Sequence, residues 1–121
     1  MSNALPIPLL ERYDVGAVTV VRITGPELHD DETTAAVFDE LIDLVEGAGR
    51  SRLVLNLEGI QYVASSATGK LVTLMRKVRS VEGRLVLCKV SRRVEEALRL
   101  FRLLDVLLLY ADEQEAVRSF R

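Results

Sequence analysis

The 121 residues contain one cysteine, one histidine and no tryptophan. With Cys88 as the single thiol there is neither an internal disulfide nor a cysteine zinc cluster. With His29 as the single imidazole, a His–His metal site and a multi-histidine acid–base system are excluded as well. Cys88 closes the apolar run RLVLC and reads as a small buried hydrophobe. His29 stands beside Asp30 and Asp31 and reads as a solvated loop residue. Aromatic residues make up 5% of the chain, the isoelectric point is near 5.5, and no nucleic-acid motif is present, so no nucleic-acid partner is expected. No apolar run approaches the roughly 18 residues of a membrane helix. The longest candidate, Leu103 to Leu109, is broken by Asp105, and no membrane insertion is expected. The opening MSNALPIPLL has two prolines and no positive segment, unlike a secretory signal, so a cytoplasmic location is the expectation.

What is present fits one soluble domain over residues 1–121: 49% hydrophobic and 28% charged residues, with no Pro/Gly-rich tract. The net charge of −2 conceals an asymmetry. From Glu27 to Glu46 there are eight acidic residues and no Lys or Arg, whereas Lys70 to Arg102 holds ten basic residues against three acidic ones. Surfaces of opposite sign are expected on different parts of the molecule, where they would steer a protein partner.

Leu9–Tyr13 and Val18–Ile23, around Asp14-Val15-Gly16, predict a β-hairpin. Gly25-Pro26 ends it, and Asp30 or Asp31 then caps a helix whose core face is Val37, Leu41, Leu44, Val45 and Ala48. RLVLNL at 52–57 and RLVLC at 84–88 read as central strands. Between them lies a helix with Ala67, Leu71, Leu74, Met75, Val78 and Val81 inward and Lys70, Thr73, Lys77 and Ser80 largely outward. Strand–helix–strand predicts a parallel pair with a right-handed crossover. Ser91 caps a third helix with Val94, Ala97, Leu98 and Phe101 inward, Val106–Tyr110 forms a last strand, and Asp112 with Glu115 resembles a capping box for a closing helix bearing Ala116, Val117 and Phe120. The expected fold is α/β, in the order ββαβαβαβα: a mixed sheet with an antiparallel start and parallel crossovers, covered by about four helices.

The chemistry-bearing stretch is GIQYVASSATGKL, residues 59–71. A phosphate-binding P-loop would need a glycine where Ala64 stands and a Ser or Thr where Leu71 stands, so that reading fails. No Cys–His or paired-carboxylate constellation replaces it, and neither enzymatic activity nor a cofactor is expected. What remains is a pair of hydroxyls, Ser65 and Ser66, where a loop meets a helix. Two readings stand. One serine caps the helix and the other faces water; or an exposed serine accepts a phosphoryl group that the helix N-terminus stabilises.

The strand LVLNLEGIQYV followed by ASSATGKLVTLMRKVRSVEGRLVLCKVS resembles the STAS domain family, the bacterial anti-sigma factor antagonists and their relatives, over nearly the whole chain. The resemblance implies a STAS-like fold and a partner-binding module of a regulatory circuit, not an enzyme. It implies Ser65 as the phosphoacceptor, in an acceptor loop with Ala64, Ser66 and Gly69, and a partner that is an anti-sigma factor and serine kinase, with a phosphatase to reverse it. The family's aspartate and first glycine are here Ala64 and Ala67. A carboxylate restored at residue 64 is expected to be solvated and nearly neutral for stability. The expected contact surface is loop 58–64, with Glu58, Gln61 and Tyr62, and the exposed helix face with Lys70, Thr73 and Lys77. The alternative is an unphosphorylated adaptor in a signalling scaffold or beside a membrane transporter, a reading that Ala64 favours.

Overall fold

The computed structural model describes residues 9–120; the sequence reading of the opening decapeptide therefore lies almost wholly outside the described residues. The chain begins with β1 (Leu9–Val15) and β2 (Val18–Thr24), antiparallel over their full length from Leu9 opposite Thr24 to Val15 opposite Val18. Gly16 opens the two-residue turn between them with a φ of 61°, the conformation that matches the twist of two paired strands and that glycine adopts without steric cost. β2 then pairs in parallel with β4 (Arg52–Asn56), β4 with β6 (Arg84–Cys88), and β6 with β7 (Leu108–Tyr110), giving the strand order β1-β2-β4-β6-β7.

Strands β4 and β6 are nearly continuous apolar runs, and β2 is buried at five of its seven positions, because both faces of these strands are covered. On one face Val21, Ile23, Leu53, Leu55, Leu85 and Leu87 pack under α1 (Glu32–Glu46), α2 (Ser65–Ser80) and α3 (Arg92–Leu100). On the other, Val18, Val20, Val54, Val86 and Cys88 meet α4 (Glu113–Arg118) through Ala116, with Val117 and Phe120 partly buried beside them. Burial pushes the Cys88 thiol up to about 12.

Three helices are capped in the same way. Asp31 accepts from Thr34 N–H at 2.8 Å, Ser91 from Val94 N–H at 3.2 Å and Asp112 from Glu115 N–H at 2.8 Å, each satisfying the third free donor of its helix. The backbone N–H of Thr34 first, then its side chain, hold the Asp31 carboxyl below its ordinary value. The cap of α1 is thus Asp31 rather than Asp30. The capping box expected at α4 is half formed: Asp112 caps, and among the described residues the Glu115 side chain makes no return bond.

Several sequence expectations are corrected. Ala48 lies beyond the end of α1 and is exposed; Val81 and Phe101 are the C-caps of α2 and α3 and are half exposed; Ala97 is only partly buried. For Ala48, Val81 and Phe101 the apolar period runs past the point where the helix stops, whereas Ala97 lies within α3 at the edge of its buried face. The last strand begins at Leu108, because Leu103–Asp105 forms a 3-10 turn that buries Leu103, with Leu107 buried just after it. Two further strands, β3 (Glu27–Leu28) and β5 (Tyr62–Val63), form a separate parallel pair. At two residues each they are too short to show alternation in sequence. The acidic and basic stretches adjoin where α1 packs beside α2, and Lys77 Nζ donates to Glu46 Oε2 at 2.7 Å.

Candidate functional site

The site is built on the segment that leaves β4 and enters α2. Leu57 N–H still donates to Cys88 O at 3.1 Å, extending the ladder by one residue. The chain then turns over Leu57–Ile60, closed by Ile60 N–H to Leu57 O at 3.0 Å, with Gly59 third in the turn at a φ of 90°. That position of such a turn requires a positive φ, which is why glycine serves there. Ile60 is fully buried and pins the loop to the core. Beyond it, Gln61 N–H donates to Pro26 O at 2.6 Å and Ala64 N–H to Leu28 O at 2.8 Å, so the β3–β5 pair fastens the loop from its other side.

This frame delivers Ser65 as the first residue of α2, with its side chain exposed and its hydroxyl in no hydrogen bond among the described residues. The residue before it, Ala64, is the N-cap, with φ −67° and ψ 157° and no side chain able to cap. The capping reading of the serine pair therefore does not hold: neither Ser65 nor Ser66 caps the helix. Ser66 is half buried, and its Oγ is enclosed without a partner among the described residues. The loop ends at Ala64, so Ser66 and Gly69 belong to the helix and not to a loop. Ala64 is 9% exposed, which also corrects the expectation of a solvated loop position.

Along α2 the exposed positions are Ser65, Gly69, Thr73, Arg76, Arg79 and Ser80, one stripe at helical spacing. Thr73 Oγ1 is turned back onto Gly69 O at 3.2 Å, and a side-chain carbon at Gly69 would meet nothing within 4 Å, so that glycine leaves the stripe flat without being needed for packing. Lys70 lies at the border of the stripe, half buried. Lys77 is drawn towards α1 by Glu46. In the loop, Glu58, Gln61 and Tyr62 are all exposed. Sequence reasoning missed their neighbours on and just after β3. The His29 ring sits 5.4 Å from that of Tyr62, and His29 Nε2 lies 2.5 Å from Glu27 Oε1. His29, exposed and just beyond β3, is the solvated loop residue expected from the sequence, and it stands on the surface beside the loop.

A polar cluster lies on the α4 side of the same loop. Glu113, the first residue of α4, receives Arg22 Nε at 2.7 Å and Nη2 at 2.9 Å, the Tyr13 hydroxyl, and Asn56 Nδ2 at 2.5 Å. The Arg22 guanidinium first, then the Tyr13 and Asn56 donors, hold the Glu113 carboxyl down at about 2 against the opposing effect of burial. The same bonds raise Arg22, and the bond to Glu113 raises Tyr13. An open groove of about 880 Å³ runs along this cluster, with Glu58 and Lys89 also on its walls. Among the described residues no three His, Cys, Asp or Glu side chains gather as a metal site would need, and no helix is long and apolar enough to cross a membrane.

An antiparallel hairpin leading into a parallel sheet, with an exposed serine at the start of the helix that follows the central strand, is the arrangement of a particular class. The sequence model of the STAS domain matches residues 10–116, and the chain belongs to that family. BtrV of Bordetella bronchiseptica, described as a candidate anti-sigma factor antagonist, is 26% identical over 73 residues, 60% of this chain; the chain spans 63% of that relative's length. Among solved structures, a candidate anti-sigma factor antagonist from Thermotoga maritima superposes with a TM-score of 0.80 at 19% identity, covering 91% of this chain and 92% of its own. The Bacillus cell fate determinant SpoIIAA in its phosphorylated form superposes at 0.71 with 23% identity, covering 94% and 99%. These likenesses establish a mixed five-stranded sheet of the SpoIIAA type.

Proposed function

We propose that this protein is a regulatory partner-binding module of the anti-sigma factor antagonist type, switched by phosphorylation of Ser65. The observation that carries the reading is the Ser65 hydroxyl, exposed and unbonded at the first turn of a 16-residue helix with no side-chain cap. A phosphate there would meet unpaired backbone N–H donors and the positive end of the helix dipole, so it would add charge without melting the helix. The naming of relatives as anti-sigma factor antagonists, and of one as occurring in a phosphorylated form, supports the same reading. The partner is an anti-sigma factor with serine kinase activity. It moves the γ-phosphoryl group of ATP onto Ser65 Oγ with release of ADP and the hydroxyl proton, and a phosphatase restores the hydroxyl by hydrolysis, with water as the acceptor and inorganic phosphate released. The STAS family is regulatory rather than enzymatic, and this chain acts as substrate and binding partner in the cytoplasm. Its contact surface is loop 58–64, with Glu58, Gln61 and Tyr62, together with the α2 stripe from Ser65 to Thr73 and Lys70 at its border; Lys77 stands farther along and is already engaged by Glu46.

A second reading rests on Ala64, which leaves no carboxylate beside the acceptor hydroxyl. In it the protein is an unphosphorylated adaptor of a signalling scaffold or a membrane transporter. Recovery of the partner by pull-down, followed by phosphopeptide mapping after incubation with that partner and ATP, decides between them. Phosphate on Ser65 that disappears in Ser65→Ala supports the switch. No phosphate, or phosphate on Ser66, sinks it.

A further inference from the structure

Asn56 is the last residue of the central strand β4, and only 5% of it is exposed. Strand alternation turns its side chain away from Leu55 and Leu57 and towards the α4 face. It stands opposite Arg22 on β2, and both side chains reach the Glu113 carboxylate. Its two amide atoms point two ways. Nδ2 donates to Glu113 Oε2 at 2.5 Å, and Oδ1 accepts the Glu58 backbone N–H at 2.8 Å, where the loop to Ser65 begins. An unrestrained asparagine amide can rotate and exchange its oxygen for its nitrogen, after which it could no longer accept from Glu58. The carboxylate, itself fixed by Arg22 and Tyr13, permits one orientation only.

We propose that Asn56 and Glu113 are a positioning pair for the acceptor loop: Glu113 orients the Asn56 amide, and the oriented amide holds the Glu58 turn in the geometry that meets the partner. The loop's importance for docking rests on the function proposed above; its restraint by the pair does not. Ile60, Gln61 and Ala64 secure the loop further along, so the pair governs its first turn. This places a determinant of partner binding on α4, on the sheet face opposite α2.

The test uses a polarity swap in the full chain. Asn56→Asp keeps an acceptor for Glu58 N–H but sets a carboxylate against Glu113. Adding Glu113→Gln restores a donor, since the amide introduced on α4 now gives its hydrogen to the carboxylate introduced on β4. Amide exchange followed by NMR should show Glu58 N–H exchanging at least about tenfold faster in Asn56→Asp, with Val54 and Leu55 in β4 much less affected. In the double variant it should return to within about threefold of wild type. A merely structural role would not predict rescue by exchanging donor and acceptor. Glu58 exchange within about threefold of wild type in the single variant, or a double variant exchanging as fast as the single, overturns the proposal. If Asn56→Asp does not fold, Glu113→Ala takes its place, and slow Glu58 exchange there overturns it equally. For the recovered partner, affinity should fall at least about tenfold in Asn56→Asp and recover in the double variant. Should Ser65→Glu weaken binding while Asn56→Asp, with its loosened turn, binds as wild type, the positioning role fails and the switch stands. Should Ser65→Glu bind as wild type, the switch fails whatever the amides show.

Discussion

Ala64→Asp should stabilise this protein. Three of the four helices carry a side-chain cap on the third free donor, and α2, the longest, has none. Ala64 already has the extended backbone of an N-cap, close to the φ −68° and ψ 159° of Ser91, so an aspartate there needs no backbone change to accept from Ala67 N–H. A cap of this kind contributes about 1 kcal/mol relative to alanine, and a carboxylate at a helix N-terminus gains about 0.3–1 kcal/mol from the dipole. Against this stands the partial desolvation of a position that is 9% exposed. The cap and dipole terms outweigh it if the carboxylate lies at the helix mouth, giving a net gain of about 1 kcal/mol, or about 4 °C in Tm for a domain of this size. The sign with pH follows from the cap. Like Asp31, the new carboxyl would have a lowered folded-state pKa. Its contribution is therefore full above the unfolded value of about 4 and disappears as the pH falls through the folded value. Urea denaturation of both proteins at pH 7 and pH 3 measures the difference at each pH. A variant less stable than wild type at pH 7, or a gain undiminished at pH 3, would refute the reasoning. The same substitution should also speed Ser65 phosphorylation by the recovered kinase, since it restores the charge beside the acceptor.

Gly83→Ala should destabilise by about 1–3 kcal/mol in chemical denaturation, because a Cβ there would lie 2.2 Å from the carbonyl oxygen of Ser51, just before β4, and backbone cannot yield as a side chain can. Glu113 has a folded pKa of about 2 against 4.5 for the free group, so its contribution is complete above about 4.5 and is lost as the pH falls through about 2. Glu113→Gln should accordingly lose stability at neutral pH and show a flatter acid limb, and equal slopes for both proteins over that range would refute this. Cys88, fully buried with its thiol near 12, should resist iodoacetamide in the native state and react readily in urea; rapid native alkylation would show that the α4 face opens easily.

The long elements were legible because their information is local. RLVLN and RLVLC each carry the apolar run LVL of a central strand, and the helical spacing of Leu71, Leu74, Met75 and Val78 marks the buried side of α2. Helix ends were less legible. The apolar period that includes Val81 and Phe101 says nothing about where the hydrogen-bonded turns stop. The β3–β5 pair could not be read, since two residues carry no period and the strands meet across 35 residues of chain, Glu27 against Tyr62. Within the candidate site, the hydroxyl pair Ser65 and Ser66 was read from its place where a loop meets a helix, and the family motif singled out Ser65 as the candidate. Asn56 and Glu113 were hidden because their roles depend on a register, Asn56 opposite Arg22, and on a helix that returns to the far face of the sheet. The sequence does hold a partial signal: an asparagine ending an apolar strand is a buried polar group that must find partners.

The central claim is that charge at residue 65 controls partner binding without disturbing the fold. Ser65→Glu sets a carboxylate on the first turn of α2, where the dipole favours it and the side chain is solvated, so the free protein should melt within a few degrees of wild type. In a docked surface the same charge must be desolvated against groups arranged for a hydroxyl, a mismatch that can cost several kcal/mol, and each 1.4 kcal/mol is about tenfold in affinity. Calorimetric titration of the recovered partner into wild type and Ser65→Glu, with thermal melting of both, measures the two effects side by side. Binding should be at least about tenfold weaker with the melting temperature preserved; equal affinities, or a collapsed melting temperature, would contradict the claim.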